Sequence, residues 1–94
     1  MKVEWLPLAR QDREWQLSYL GERDPWAAIN VGDAIEMAVN HLPDHPRIGR
    51  VGRVRGTREL VVAGTPYILA YRIEQEAVVI LRLLHSAQKW PGRF

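Results

Sequence analysis

The stretch Val78–Pro91, VVILRLLHSAQKWP, constrains the fold more than any other. An apolar run carries one arginine, stops at a histidine, and turns polar around a tryptophan. Ala77–Leu81 is far too short to cross a membrane. Its β-branched content and the polar turn Glu74-Gln75-Glu76 before it predict a strand over Ala77–His85. That strand is apolar on both faces except at Arg82, which places it centrally, covered from both sides. His85 then has two readings. It is either a general acid or base, or the point where a buried strand ends and a tail peels away.

A central strand needs neighbours. Arg58–Val62 reads as one, with Ala63-Gly64-Thr65-Pro66 as a hairpin turn and Tyr67–Glu74 as the next. In the second of these, Tyr67, Leu69, Tyr71 and Ile73 share one face, the better core candidate, while Ile68, Ala70 and Arg72 share the other. Lys2–Leu6 alternates weakly and stops at Pro7, which predicts a short opening strand. Pro43–Gly52, PDHPRIGRVG, is a punctuated loop leading into Arg53–Arg55 and a turn at Gly56-Thr57.

Two helices fill the gap. Pro7 suits a first helical turn, and Leu8, Trp15, Tyr19 and Leu20 can share a face up to a stop at Gly21, with Trp15 expected in the core. Asp24-Pro25 reads as an N-cap followed by proline at the first helical position. Val31, Ala34, Ile35, Ala38 and Leu42 then follow helical spacing until Pro43. The prediction is a single α+β domain over 1–94, ordered β-α-α-β-β-β, with a helical hairpin packed on a twisted, mostly antiparallel sheet.

Charge is split along the chain. Residues 1–44 hold eight acids against four bases, a net −4; residues 45–94 hold nine bases against three acids, a net +6. Arg47, Arg50, Arg53, Arg55 and Arg58 fall in one short segment. Such asymmetry suits an acidic protein or nucleic acid, and Arg47, Arg50, Arg53, Arg55, Lys89 and Trp90 are the candidate contacts. With no cysteine there is neither a disulfide framework nor a thiolate metal site. His41 and His45 are separated by Pro43 and cannot share a helical face as zinc ligands, so no metal and no cofactor is expected. Gly49, Gly52 and Gly56 lack any phosphate-loop pattern and read as turn residues. MKVEWLPLAR has no continuous apolar stretch behind its lysine, so a cytoplasmic protein without a membrane anchor is expected.

Gly56–Val62 (GTRELVV), Thr65–Ile73 (TPYILAYRI) and Leu81–Pro91 (LRLLHSAQKWP) together resemble the RelE/ParE superfamily of bacterial toxins. Val3–Ala9 (VEWLPLA) and Asp24–Ala28 (DPWAA) fit as well, so the resemblance spans nearly the whole chain in order. It implies the toxin of a type II toxin–antitoxin pair, neutralised by a cognate antitoxin of the ParD or RelB kind. It also implies one of two targets: DNA gyrase for ParE-like members, or mRNA in the ribosome for RelE-like endonucleases.

The two targets need different chemistry. RNA cleavage requires activation of a 2′-hydroxyl, stabilisation of the phosphorane and protonation of a leaving oxygen, tasks suited to arginine with histidine, tyrosine or lysine. RelE-like enzymes carry an arginine within a Y-R-L-V-Y-type strand motif. Here Tyr67-Ile68-Leu69-Ala70-Tyr71 matches it, with Ile68 in the arginine's place. Their C-terminal arginine is also missing, since His85-Ser86-Ala87-Gln88 stands there. The resemblance therefore favours a ParE-like gyrase inhibitor with no catalytic residue of its own. The alternative is an endoribonuclease using His85 with Arg58, Arg72, Arg82 and Lys89.

Overall fold

The computed structural model describes all of residues 1–94. The apolar run forms β5 (Ala77–His85), which lies between β1 (Lys2–Trp5) and β4 (Tyr67–Glu74) in a five-stranded sheet. The remaining strands are β2 (Arg50–Val51) and β3 (Arg58–Val61), and the sheet order is β1-β5-β4-β3-β2. β1 runs parallel to β5, and all other pairings are antiparallel. Helices α1 (Pro7–Arg23) and α2 (Pro25–His41) follow β1, so the expected β-α-α-β-β-β order holds with the two-residue β2 added.

The faces of the central strands divide as their side chains dictate. Tyr67, Leu69 and Tyr71 of β4 join Val78, Ile80 and Leu83 of β5 in one core with Ala9, Ile35, Ala38 and Leu42 from the helical side. Each large aliphatic group buried there contributes about 1.5–3 kcal/mol. Ala77, Val79 and Leu81 form a smaller cluster with Leu6. A register shift pairs Ala70 with Arg82 but Tyr71 with Ile80, leaving Leu81 unpaired. This bulge returns Leu83 to the helical core although it lies three residues beyond Ile80.

The β5 edge has a second consequence of length. β1 stops at Trp5, and its side of β5 is last paired by the Leu6 N–H to the Ile80 carbonyl. Beyond that point α1 takes over the work of a strand. The Leu83 N–H donates to Asp12 Oδ2 at 3.0 Å, and Gln16 Nε2 donates to the Leu83 carbonyl at 2.7 Å. Arg82 closes the arrangement with two bonds to Asp12, Nε to Oδ2 at 2.6 Å and Nη2 to Oδ1 at 3.0 Å. The hydrogen bonds to Asp12 outweigh burial and hold the Arg82 guanidinium more basic than usual.

Two expectations are corrected. Helix α1 continues through Gly21 to Arg23 and ends where Asp24 bonds back to the Leu20 carbonyl. Gly21 faces α2, where an added Cβ would lie 3.5 Å from that of Ala28. Asp24-Pro25 makes the turn, its carboxylate accepting the Ala27 N–H as foreseen. Trp15 is not core: it is 68% exposed, and Leu8 and Tyr19 are exposed beside it. Polar Asp12 and Gln16 face β5 instead, and this turns the aromatic stripe outward. Arg53–Arg55 lie in the turn between β2 and β3, where the Arg53 N–H is taken by Glu59 Oε2 and Thr57 turns back on Val54.

Replacing Asp12 strands a partly buried guanidinium and a buried backbone N–H together. Asp12→Ala should therefore lower unfolding free energy by about 3 kcal/mol, measurable by urea denaturation. A loss below about 1 kcal/mol would contradict this account of the β5 edge.

Candidate functional site

Glu59 is 3% exposed, in the middle of β3, where a carboxylate needs compensation. Arg50 and Arg53 provide it. Oε1 of Glu59 accepts from Arg50 Nη2 at 2.8 Å and from Arg53 Nη2 at 3.1 Å, while Oε2 accepts the Arg53 backbone N–H at 2.8 Å. Burial alone would raise this carboxyl's pKa. The hydrogen bonds from the Arg53 side chain and backbone and from Arg50 override it and bring it down to about 2. The Arg53 guanidinium also lies 3.8 Å from the centre of the Trp90 ring, which itself meets Phe94 edge-on. Thus Arg50, Arg53 and Trp90 converge around one buried acid. The Trp90 Nε1 is buried there without a partner in the chain.

The loop leading to this cluster is anchored from below. The Tyr71 hydroxyl donates to the Pro46 carbonyl at 2.7 Å and accepts the Gly49 N–H at 2.9 Å. Gly49 is required by closeness, since a Cβ there would stand 2.7 Å from that hydroxyl. Arg58 donates to the carbonyls of Gly49 and Arg47. Arg47 and Arg55 are left exposed, with no acidic partner.

The arginines of the catalytic alternative are bonded within the chain. Arg82 is bound to Asp12, Arg72 to Glu74, and Arg58 to backbone carbonyls, while Lys89 is exposed on the tail. His85 ends β5 opposite Tyr67, their rings edge to face at 5.4 Å. Its Nδ1 accepts the Ala87 N–H at 3.0 Å, so the neutral ring carries its proton on Nε2. Gln88 Oε1 accepts the His85 N–H, and the Gln88 N–H returns to the His85 carbonyl. Together these bonds fold the chain away from the sheet at His85.

Two features were missed from sequence. Glu59 stands among arginines in a β-strand pattern, which was the available signal. The other is a ladder on α1: Trp15 stacks on Tyr19 at 5.6 Å with ring planes 7° apart, and the Arg23 guanidinium lies 4.5 Å from the Tyr19 ring centre. Its spacing of four residues was visible but was read as core.

Comparison with known proteins agrees with this architecture. Residues 3–90 match the family described as the ParE toxin of the type II toxin–antitoxin system parDE, and the chain belongs to that family of toxins. The putative toxin Y4kP of Sinorhizobium fredii is 40% identical over 96% of this chain and 93% of its own length. Toxin RelE3 of Caulobacter vibrioides is 36% identical over 93% and 96%. A chain from the chromosomal ParDE system of P. aeruginosa superposes with a TM-score of 0.80, covering 90% of this chain and 95% of its own, at 23% identity; it shares the fold.

Glu59 makes the stability of this surface depend on pH. Its folded pKa of about 2 lies below the ordinary 4.5, so its contribution is complete above about pH 4.5 and is lost as pH falls toward 2. Glu59→Gln should cost about 2 kcal/mol at neutral pH and flatten the decline of stability across that acid window. An unchanged acid limb in a denaturation series would contradict this role.

Proposed function

We propose that this toxin acts by binding rather than by chemistry of its own, holding DNA gyrase in its DNA-cleaved state until a cognate antitoxin removes it. The observation that carries this reading is the commitment of the arginines. Phosphoryl transfer needs guanidinium groups free to meet phosphate oxygens. Arg82, Arg72 and Arg58 spend theirs on Asp12, Glu74 and carbonyls, and Ile68 occupies the position of the nuclease arginine. The exposed bases Arg47, Arg55 and Lys89 remain to steer an acidic target.

The antitoxin reading has its own support. An apolar groove lies between α2 and β3, walled by Ala34, Met37, Ile48, Leu60 and Val61. β2 pairs only with Arg58 and Glu59, so the outer edge of β3 is open at Leu60 and Val61. An amphipathic segment could fill the groove and extend the sheet there, with acidic residues toward Arg47.

A second reading, ribosome-dependent mRNA cleavage through His85, is favoured by relatives such as the Caulobacter toxin named RelE3. It expects folded His85→Ala protein to lose all cell killing.

Charge reversal at Arg50 or Arg53 would break the Glu59 cluster and confound a binding test. Arg47→Glu combined with Arg55→Glu avoids that difficulty. The pair should lower cleaved plasmid trapped by purified gyrase by about tenfold, with melting temperature unchanged. Wild-type toxin that is folded yet traps no cleaved plasmid would refute the gyrase reading.

A further inference from the structure

The Trp15–Tyr19–Arg23 ladder forms one wall of a cleft of about 740 Å³ whose other side includes Tyr67, His85 and Gln88. The gyrase reading uses none of it. We propose that this cleft binds single-stranded nucleic acid, with unpaired bases stacked on Trp15 and beside Tyr19 and a phosphate held by Arg23.

Four features of the cleft favour that ligand. First, the aromatic surface is flat and open: Trp15 is 68% exposed, with only one face covered by Tyr19. A stacked pair of rings accepts any base, because every base presents a π-face. Second, three of the lining side chains offer donors. His85 carries its proton on Nε2, Gln88 keeps its amide N–H groups because its oxygen is taken by the His85 N–H, and Arg23 has no acidic partner. Third, the carboxylate in the wall does not repel a phosphate, since both oxygens of Asp12 are consumed by Arg82 and Leu83. Fourth, Tyr67 is only 8% exposed, yet no bond within the chain engages its hydroxyl, which remains open to solvent from the cleft wall.

Length selects a strand over a single nucleotide. Trp15 to Arg23 covers two turns of α1, about 12 Å. One nucleotide cannot place its base beyond Trp15 and its phosphate at Arg23, whereas two successive nucleotides of an extended strand can. A duplex keeps its bases stacked on each other and offers no free face. The surface differs from the arginine segment around Glu59 and carries no part of the gyrase reading. Because it holds His85, a strand that is bound and also cut would belong to the mRNA-cleavage reading, whereas binding without cleavage stands apart from both.

The test is fluorescence anisotropy of labelled oligothymidylate and oligouridylate, about twelve nucleotides long, with purified toxin at low salt. Mononucleotide and duplex serve as competitors. Expected is binding of at least one single strand, weakened about tenfold by Trp15→Ala and by Arg23→Ala, with duplex and mononucleotide competing poorly. Both side chains are exposed, and unchanged melting curves will show that the variants fold. Three results would overturn the proposal: no strand bound, mononucleotide competing as well as the strand, or binding lost on reversal of Arg47 and Arg55 but untouched in Trp15→Ala. Loss of antitoxin or gyrase binding in Trp15→Ala, without oligonucleotide binding by the wild type, would assign the ladder to a protein partner instead.

Discussion

The joint between Asp12 and β5 is the constraint on which the rest of the structure depends. β1 is too short to cover β5, yet β5 is the most apolar strand and carries the core residues Val78, Ile80 and Leu83. An uncovered edge there would leave peptide groups unsatisfied beside the core. Asp12 and Gln16 supply the missing partners from α1, and Arg82 neutralises the carboxylate that does so. A single helix turn thereby fixes the seating of α1. That seating in turn points Trp15 and Tyr19 away from the core.

The charge asymmetry of the chain is partly an internal device. The acidic half lends Asp12 to Arg82 and Glu36 to Arg13, while the basic half spends Arg50 and Arg53 on the one acid buried inside it. Glu59 and its arginines hold the loop between α2 and β3 against the sheet, and Trp90 fixes the C-terminal tail to the same place through Arg53. The surface is ordered by the same groups whose number suggested a binding patch. Fewer cations are free than the sequence count implies, with Arg47, Arg55 and Lys89 among those exposed without an acidic partner.

Where periodicity and punctuation agreed, the fold was legible in the sequence. β4 and β5 were bounded correctly by the turns at Pro66 and Gln75, and the Asp24-Pro25 cap and the Ile35–Ala38–Leu42 stripe appear as read. The orientation of α1 was not legible, because its inward side carries Asp12 and Gln16, whose partners lie about seventy residues away. Trp15 looked like core for the same reason. The arginine segment was legible as charge but not as structure: only the buried Glu59 distinguishes arginines that are clasped from arginines that are free. At His85 the sequence carried no sign of the bond by which the Ala87 N–H turns back to Nδ1.

Hydrogen exchange at the Leu83 amide reports on the joint between Asp12 and β5. This N–H has no strand partner on its side, so its protection depends on Asp12. Leu83 should exchange as slowly as the Ile80 and Tyr71 amides, through global unfolding, and Asp12→Ala should speed it more than it speeds those two. Exchange at Leu83 as fast as in the Ser86–Lys89 turn of the wild-type protein would contradict it, and α1 would then not complete the edge of β5.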